Sequence, residues 1–150
     1  MIQRFIKDAQ SGIVEGQYRL AMAYSYGKGI QKDLELAVHW FEKAARQGHA
    51  EAQYRLGAHL QYGLGVSKDD RQAAHWFEKA AQQGHAEAQN SFGICCLNGQ
   101  GVRRDLLRAM HWFEQSAAQG NLCARDNLNL HCTEEFEALM LRQSLSPSQD

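Results

Sequence analysis

The chain has 150 residues, and 16 Lys and Arg against 17 Asp and Glu leave a formal charge of −1. That balance excludes the basic footprint of a nucleic-acid binder and the polybasic patch of a membrane-surface protein. With 44% hydrophobic and 22% charged residues, the chain is too apolar for disorder, and its apolar runs are too short for a transmembrane helix. The opening stretch Met1–Asp8 is amphipathic and lacks the apolar core of a secretion signal. A cytoplasmic protein is therefore expected, periplasmic only if a leader has been removed.

In chain order, residues 1–12 read as one helix of an incomplete leading unit, closed by Gly12. A repeat follows. Trp40, Trp76 and Trp112 stand 36 residues apart, Phe41, Phe77 and Phe113 keep the step, and Phe5 extends it upstream. Gly12, Gly48, Gly84 and Gly120 share the same period. Residues 15–50 and 51–86 are identical at 22 of 36 positions, and residues 51–86 and 87–122 at 16. Agreement at a fixed period marks a repeat array: a partial unit 1–14, repeats 15–50, 51–86 and 87–122, and a degenerate unit 123–143.

Each repeat predicts two helices. In residues 51–62, Ala52, Leu56 and Leu60 form one stripe. Gly63-Leu64-Gly65, matching Gly27-Lys28-Gly29 and Gly99-Gln100-Gly101, then turns the chain, because glycine tolerates positive φ. Asp69, like Asp33 and Asp105, stands where a second helix needs its N-cap. That helix sets Ala73, Trp76, Phe77, Ala80 and Ala81 on one core-facing side, and Gly84 ends it. All 13 glycines have such posts, which leaves none for a phosphate-binding loop. After Leu122 the pattern decays. Ala124 and Leu128 keep register, but Glu134-Glu135-Phe136 replaces the glycine turn. Phe136, Leu139, Met140 and Gln143 suggest a terminal capping helix, and residues 144–150 read as a frayed tail.

These residues carry a family resemblance. The run Ala52-Gln53-Tyr54-x-Leu56-Gly57, then Gly63-x-Gly65-Val66, Asp69, Ala73, Trp76-Phe77, Lys79-Ala80-Ala81 and Gly84 resembles the Sel-1-like repeat, over roughly residues 4–130. The resemblance implies an all-α fold, a right-handed αα-superhelix of tetratricopeptide type. It also implies a bacterial adaptor for protein complexes and no catalytic activity. Some relatives neutralise secreted toxins, so an immunity protein is the alternative within the same scaffold. Some bacterial relatives pin each helix pair with a disulfide. The first two full repeats here contain no cysteine, so this chain is not of that subtype.

The chemical groups themselves point away from catalysis. No nucleophile elbow, H-E-x-x-H or spaced acid pair is present. His39, His75 and His111 share one repeat position, and His49 and His85 another. Helices pack about 8–10 Å apart, too far for one ion to bridge with bonds of ~2 Å, so these read as surface or half-buried imidazoles. One cluster is distinct: Cys95 and Cys96 align with His131 and Cys132 on neighbouring first helices. It is the basis of a remote metal- or redox-responsive alternative, but it lacks C-x-x-C spacing, and core cysteines are common. No cofactor and no metal are expected.

A partner is expected on the other face of the first helices, which in this family type lines the concave groove. Turning 100° per residue, positions 55, 58, 59 and 62 share one sector. Its expected partner-binding residues are Arg19, Met22 and Tyr26, then Arg55, His59 and Tyr62, then Ser91 and Asn98, with Ala23, Ala58, Ile94 and Cys95 beside them. Stacking should set Arg19 beside Arg55 and Tyr26 beside Tyr62. Arg and Tyr often dominate interface energetics, so the expected guest is an acidic or carboxylate-bearing segment of another protein. Self-association through the incomplete first unit is left open.

Overall fold

The computed structural model describes residues 1–145, and its regular structure is helical throughout. The helices are α1 Ile2–Gln10, α2 Val14–Tyr26, α3 Leu34–Arg46, α4 Ala50–Tyr62, α5 Asp70–Gln82 and α6 Ala86–Asn98, then α7 Leu106–Ala118, α8 Leu122–Asn127 and α9 Thr133–Ser144. A π-helical turn, Leu128–Cys132, joins α8 to α9. Each helix packs on the next along the chain, from α1 on α2 to α7 on α8. The result is a solenoid of helical hairpins in which each unit touches only its neighbours. No described helix is long and apolar enough to cross a membrane.

Local chemistry explains the hairpins. The side chains of Asp33, Asp69 and Asp105 each accept a hydrogen bond at 3.0 Å, from the backbone amides of Leu36, Gln72 and Arg108. These bonds satisfy amides that a helix start leaves free. At the other turn, the first helix α4 stops at Gly63, whose φ of 67° is left-handed. A side chain there would strain the backbone.

The core is rich in alanine and holds one second-helix phenylalanine per full unit, with Leu20, Leu56, Leu60 and Phe92 from the first helices. Phe41, Phe77 and Phe113 are sealed, among Ala37, Ala44, Ala45, Ala73, Ala80, Ala81 and Ala109. Small alanine faces let the helices approach closely, and helical glycines such as Gly57 do the same. A Cβ built on Gly57 would lie 2.7 Å from the Phe77 ring.

The tryptophans correct the sequence reading. Trp40, Trp76 and Trp112 are only half-buried, beside phenylalanines that are fully enclosed. A histidine meets each Trp ring edge-on, at 5.1–5.2 Å. Lys43 and Lys79 lie over the rings of Trp40 and Trp76 at 5.0 and 5.5 Å. These indoles straddle the boundary between core and water. They share a helical stripe with alanine, but they sit on its edge.

A buried polar ladder ties unit to unit. Gln17, Gln53 and Gln89 are each 4% exposed. Their side-chain carbonyls accept from Gln47, Gln83 and Gln119 of the following second helix at 2.8, 2.8 and 2.9 Å. The amides of Gln53 and Gln89 donate to the Ala45 and Ala81 carbonyls at 3.1 and 3.2 Å. Buried amides satisfied on both ends add specificity at little desolvation cost.

The array ends differently from the expected cap. Glu135 occupies the position of Gly99, so the backbone has no residue that turns left-handed without strain. The first helix of the degenerate unit therefore runs on through the π-helical turn into α9. No residue of α9 is buried. Arg104 holds the start of α9 through Glu135 at 2.7 Å. The expected tail, residues 144–150, lies outside the described residues from 146 onward, and Ser144 closes α9.

Candidate functional site

The first helices α2, α4 and α6 present the expected partner-binding face, and the repeat positions behave differently along it. The positions of Arg19 and Tyr26 stay in contact with solvent in the next unit. Tyr26 and Tyr62 are 55% and 70% exposed, and the Arg19 and Arg55 side chains 55% and 35%. The third sector position turns inward in the three full units, where Ala23, His59 and Cys95 are all buried. His59 is therefore removed from the accessible face. Its ring packs against Phe41 at a centroid distance of 5.4 Å, and its Nδ1–H donates to the Leu64 carbonyl at 2.9 Å. It braces the turn after α4.

The arginines do not stand alone. Arg19 Nε donates to Glu15 at 2.6 Å and Arg55 Nε to Glu51 at 2.8 Å, both one helical turn back. Each glutamate also meets the histidine that closes its own unit, His49 for Glu15 and His85 for Glu51. These histidines serve as N-caps as well. Nδ1 of His49 and of His85 accepts from the Ala52 and Ala88 amides at 3.1 Å, and each ring stacks on a tyrosine, Tyr18 or Tyr54. Burial works to raise the Glu51 carboxyl pKa, but hydrogen bonds from His85 and Arg55 outweigh it and hold it below the ordinary value of 4.5. The Arg19 hydrogen bond is the main cause that lowers Glu15. For Arg55, burial opposes the charge, and the bond to Glu51 overcomes it and raises its pKa. The cations of this face thus come with their own counter-charges.

Stacking pairs these residues on a diagonal. Arg55 Nη1 donates to the Tyr26 hydroxyl at 3.3 Å, across 29 positions. The expected side-by-side pairs Arg19 with Arg55 and Tyr26 with Tyr62 would each need 36. The long Arg55 side chain thus joins the middle of α4 to the last residue of α2. At the N-terminal end, Arg19, Met22 and Tyr26 line a cavity of about 590 Å³ with Ile2, Phe5 and Lys28. Farther along, Tyr62 and Ser91 line a smaller one of about 360 Å³ with Lys68 and Asp70. Asn98 is exposed at the end of α6, apart from both.

Burial dominates the thiol cluster. Cys95, Cys96 and Cys132 are buried and unbonded, whereas His131 is exposed. Burial pushes Cys95 up to about 12 and Cys96 to about 11, so the reactive thiolate is scarce at neutral pH. Among the described residues, no group of three or more His, Cys, Asp or Glu is placed to hold a metal ion.

Three consecutive stretches, residues 14–49, 50–85 and 86–121, match the model of the Sel1 repeat. The chain belongs to the Sel1 repeat family. Sel1 repeats are in general scaffolds for protein–protein interaction. Solved Sel1 structures resemble this one. It is 36% identical to c5321, a protective antigen of uropathogenic Escherichia coli strains, with a TM-score of 0.81 over 83% of this chain. It spans only 27% of that protein. A Sel1 repeat protein from Oxalobacter formigenes is 35% identical, with a TM-score of 0.78 over 85% of this chain and 96% of its own. Helicobacter pylori cysteine rich protein B shares the fold at 22% identity, with a TM-score of 0.65 over 83% of this chain and 90% of its own. No curated protein matches the chain.

Proposed function

We propose that this Sel1 repeat chain is a non-enzymatic adaptor that holds a segment of another protein along the exposed face of α2, α4 and α6. One observation carries this reading. Tyr26 and Tyr62 remain more than half exposed on a well-packed fold, and Arg55 bridges to Tyr26 across the unit boundary. Exposed tyrosine beside arginine is the composition that concentrates binding energy at interfaces, and the bridge presents the pair as a pre-arranged surface. The guest that suits it carries carboxylates, which the Arg19 and Arg55 guanidiniums engage in competition with Glu15 and Glu51.

Charge reversal at Arg55 tests the reading. With the native partner, Arg55→Glu should weaken binding at least about tenfold, with the circular dichroism spectrum unchanged. Undiminished affinity would remove the proposal. Toxin neutralisation would use the same face. Capture of the partner from the native organism separates it from an adaptor role, since a secreted toxin on the column would identify an inhibitor.

A further inference from the structure

The N-terminal cavity differs from the rest of the solenoid for a reason that the repeat makes visible. Its lining includes Ala23, where the next unit has His59 and the one after it Cys95. In the second unit the His59 ring fills the space beside Phe41 and bonds to the Leu64 carbonyl. The corresponding groups in the first unit are Phe5 and the Lys28 carbonyl. There Ala23 supplies only a methyl group, and the volume that an imidazole occupies one repeat later is open. Its walls are apolar, from Ile2, Phe5, Met22 and Ala23. Its rim is cationic: Lys28 is exposed and lies over the Tyr26 ring at 5.7 Å. The Arg19 guanidinium lies 5.8 Å from the Phe5 centroid. A guanidinium carries five N–H donors, and Glu15 takes the one on Nε.

We infer that this cavity is an anchor pocket for a large apolar side chain, Phe or Leu, whose neighbouring residue in a partner segment bears a carboxylate. The inference rests on the peptide-binding reading above and names the subsite that selects the peptide. An apolar slot with cations at its mouth pairs shape with charge. The slot removes the apolar group from water, and Lys28 with Arg19 at its rim meets the carboxylate through charge-assisted hydrogen bonds. A cavity of about 590 Å³ lies within the ~300–1,000 Å³ range of binding clefts.

The test uses the full chain with its Met22 methyl group as an NMR reporter, and three short blocked peptides that contain Phe-Asp, Ala-Asp or Phe-Lys. Phe-Asp should shift the Met22 signal saturably, and both controls should bind at least about tenfold more weakly. Ala23→His, which writes the second unit's own residue into the first, should fill the slot and abolish the shift while leaving the fold intact. Lys28→Glu, at an exposed loop position, gives a second reading: it should weaken Phe-Asp and strengthen Phe-Lys. An unshifted Met22 signal, equal binding of Phe-Lys and Phe-Asp to the parent protein, or full Phe-Asp affinity in Ala23→His would each overturn the inference. The wider reading fails separately. If Ala23→His keeps native-partner affinity and Arg55→Glu loses it, the pocket falls and the groove stands; if neither variant changes that affinity, both fall.

Discussion

Phe77 and Trp76 are neighbours in sequence, yet their replacement should have unequal consequences. Phe77 is 1% exposed, lies 5.9 Å from the Tyr54 ring and faces Gly57, which has no side chain to fall into a vacated space. Phe77→Ala removes a ring from a site that cannot collapse, so it should cost about 3–5 kcal/mol. Trp76 is half-buried under Lys79. Its truncation exposes little that was dry and loses one cation–π contact, so about 1–2 kcal/mol is expected. For a domain of this size, ~1 kcal/mol shifts the midpoint by about 2–4 °C. Phe77→Ala should therefore melt roughly 10 °C below the parent, and Trp76→Ala only a few degrees below. Urea and thermal unfolding followed by far-ultraviolet circular dichroism measure both. If Trp76→Ala proves the more damaging, the assignment of the core to the phenylalanine row is wrong.

Two further outcomes follow from the electrostatics and the thiols. The Glu51 carboxyl has a depressed pKa, so the stability it contributes is present above its ordinary value of 4.5 and is lost as pH falls through the lower folded value. Glu51→Gln should lower the urea midpoint at neutral pH and flatten its decline between about pH 5 and pH 3; an unaltered pH profile would contradict the His85–Glu51–Arg55 arrangement. A thiol reagent applied to the native protein should modify exposed Cys123 and leave Cys95, Cys96 and Cys132 untouched until denaturant is added. Rapid reaction of Cys95 or Cys96 would refute their burial.

Much of the fold can be read from residue types at fixed spacing, because the decisive interactions are local. An Asp three residues before the amide it caps, a glycine where the chain must enter left-handed backbone, and alanines on one stripe act within a few residues of themselves. A 36-residue recurrence of such signals is enough to establish stacked hairpins. The loss of Gly99's counterpart at Glu135 equally signals that the final turn fails. The outcome, a helix running on through a π-helical turn with nothing buried on it, is set by tertiary packing and not by any one residue.

The candidate face was only partly legible. The sector of Arg55, Ala58, His59 and Tyr62 follows from helical geometry alone, but a 100° sector does not say where its edge meets the neighbouring turn. That edge falls between Tyr62, in water, and His59, held beneath the loop at Leu64. The same limit placed the tryptophans in the core. The bond from Arg55 to Tyr26 forms only where two units meet, and the void beside Ala23 is enclosed only once α1 packs on α2. Periodicity in one chain determines which residues are equivalent. How closely equivalent residues approach, and which of them water reaches, is set only when the units pack against one another.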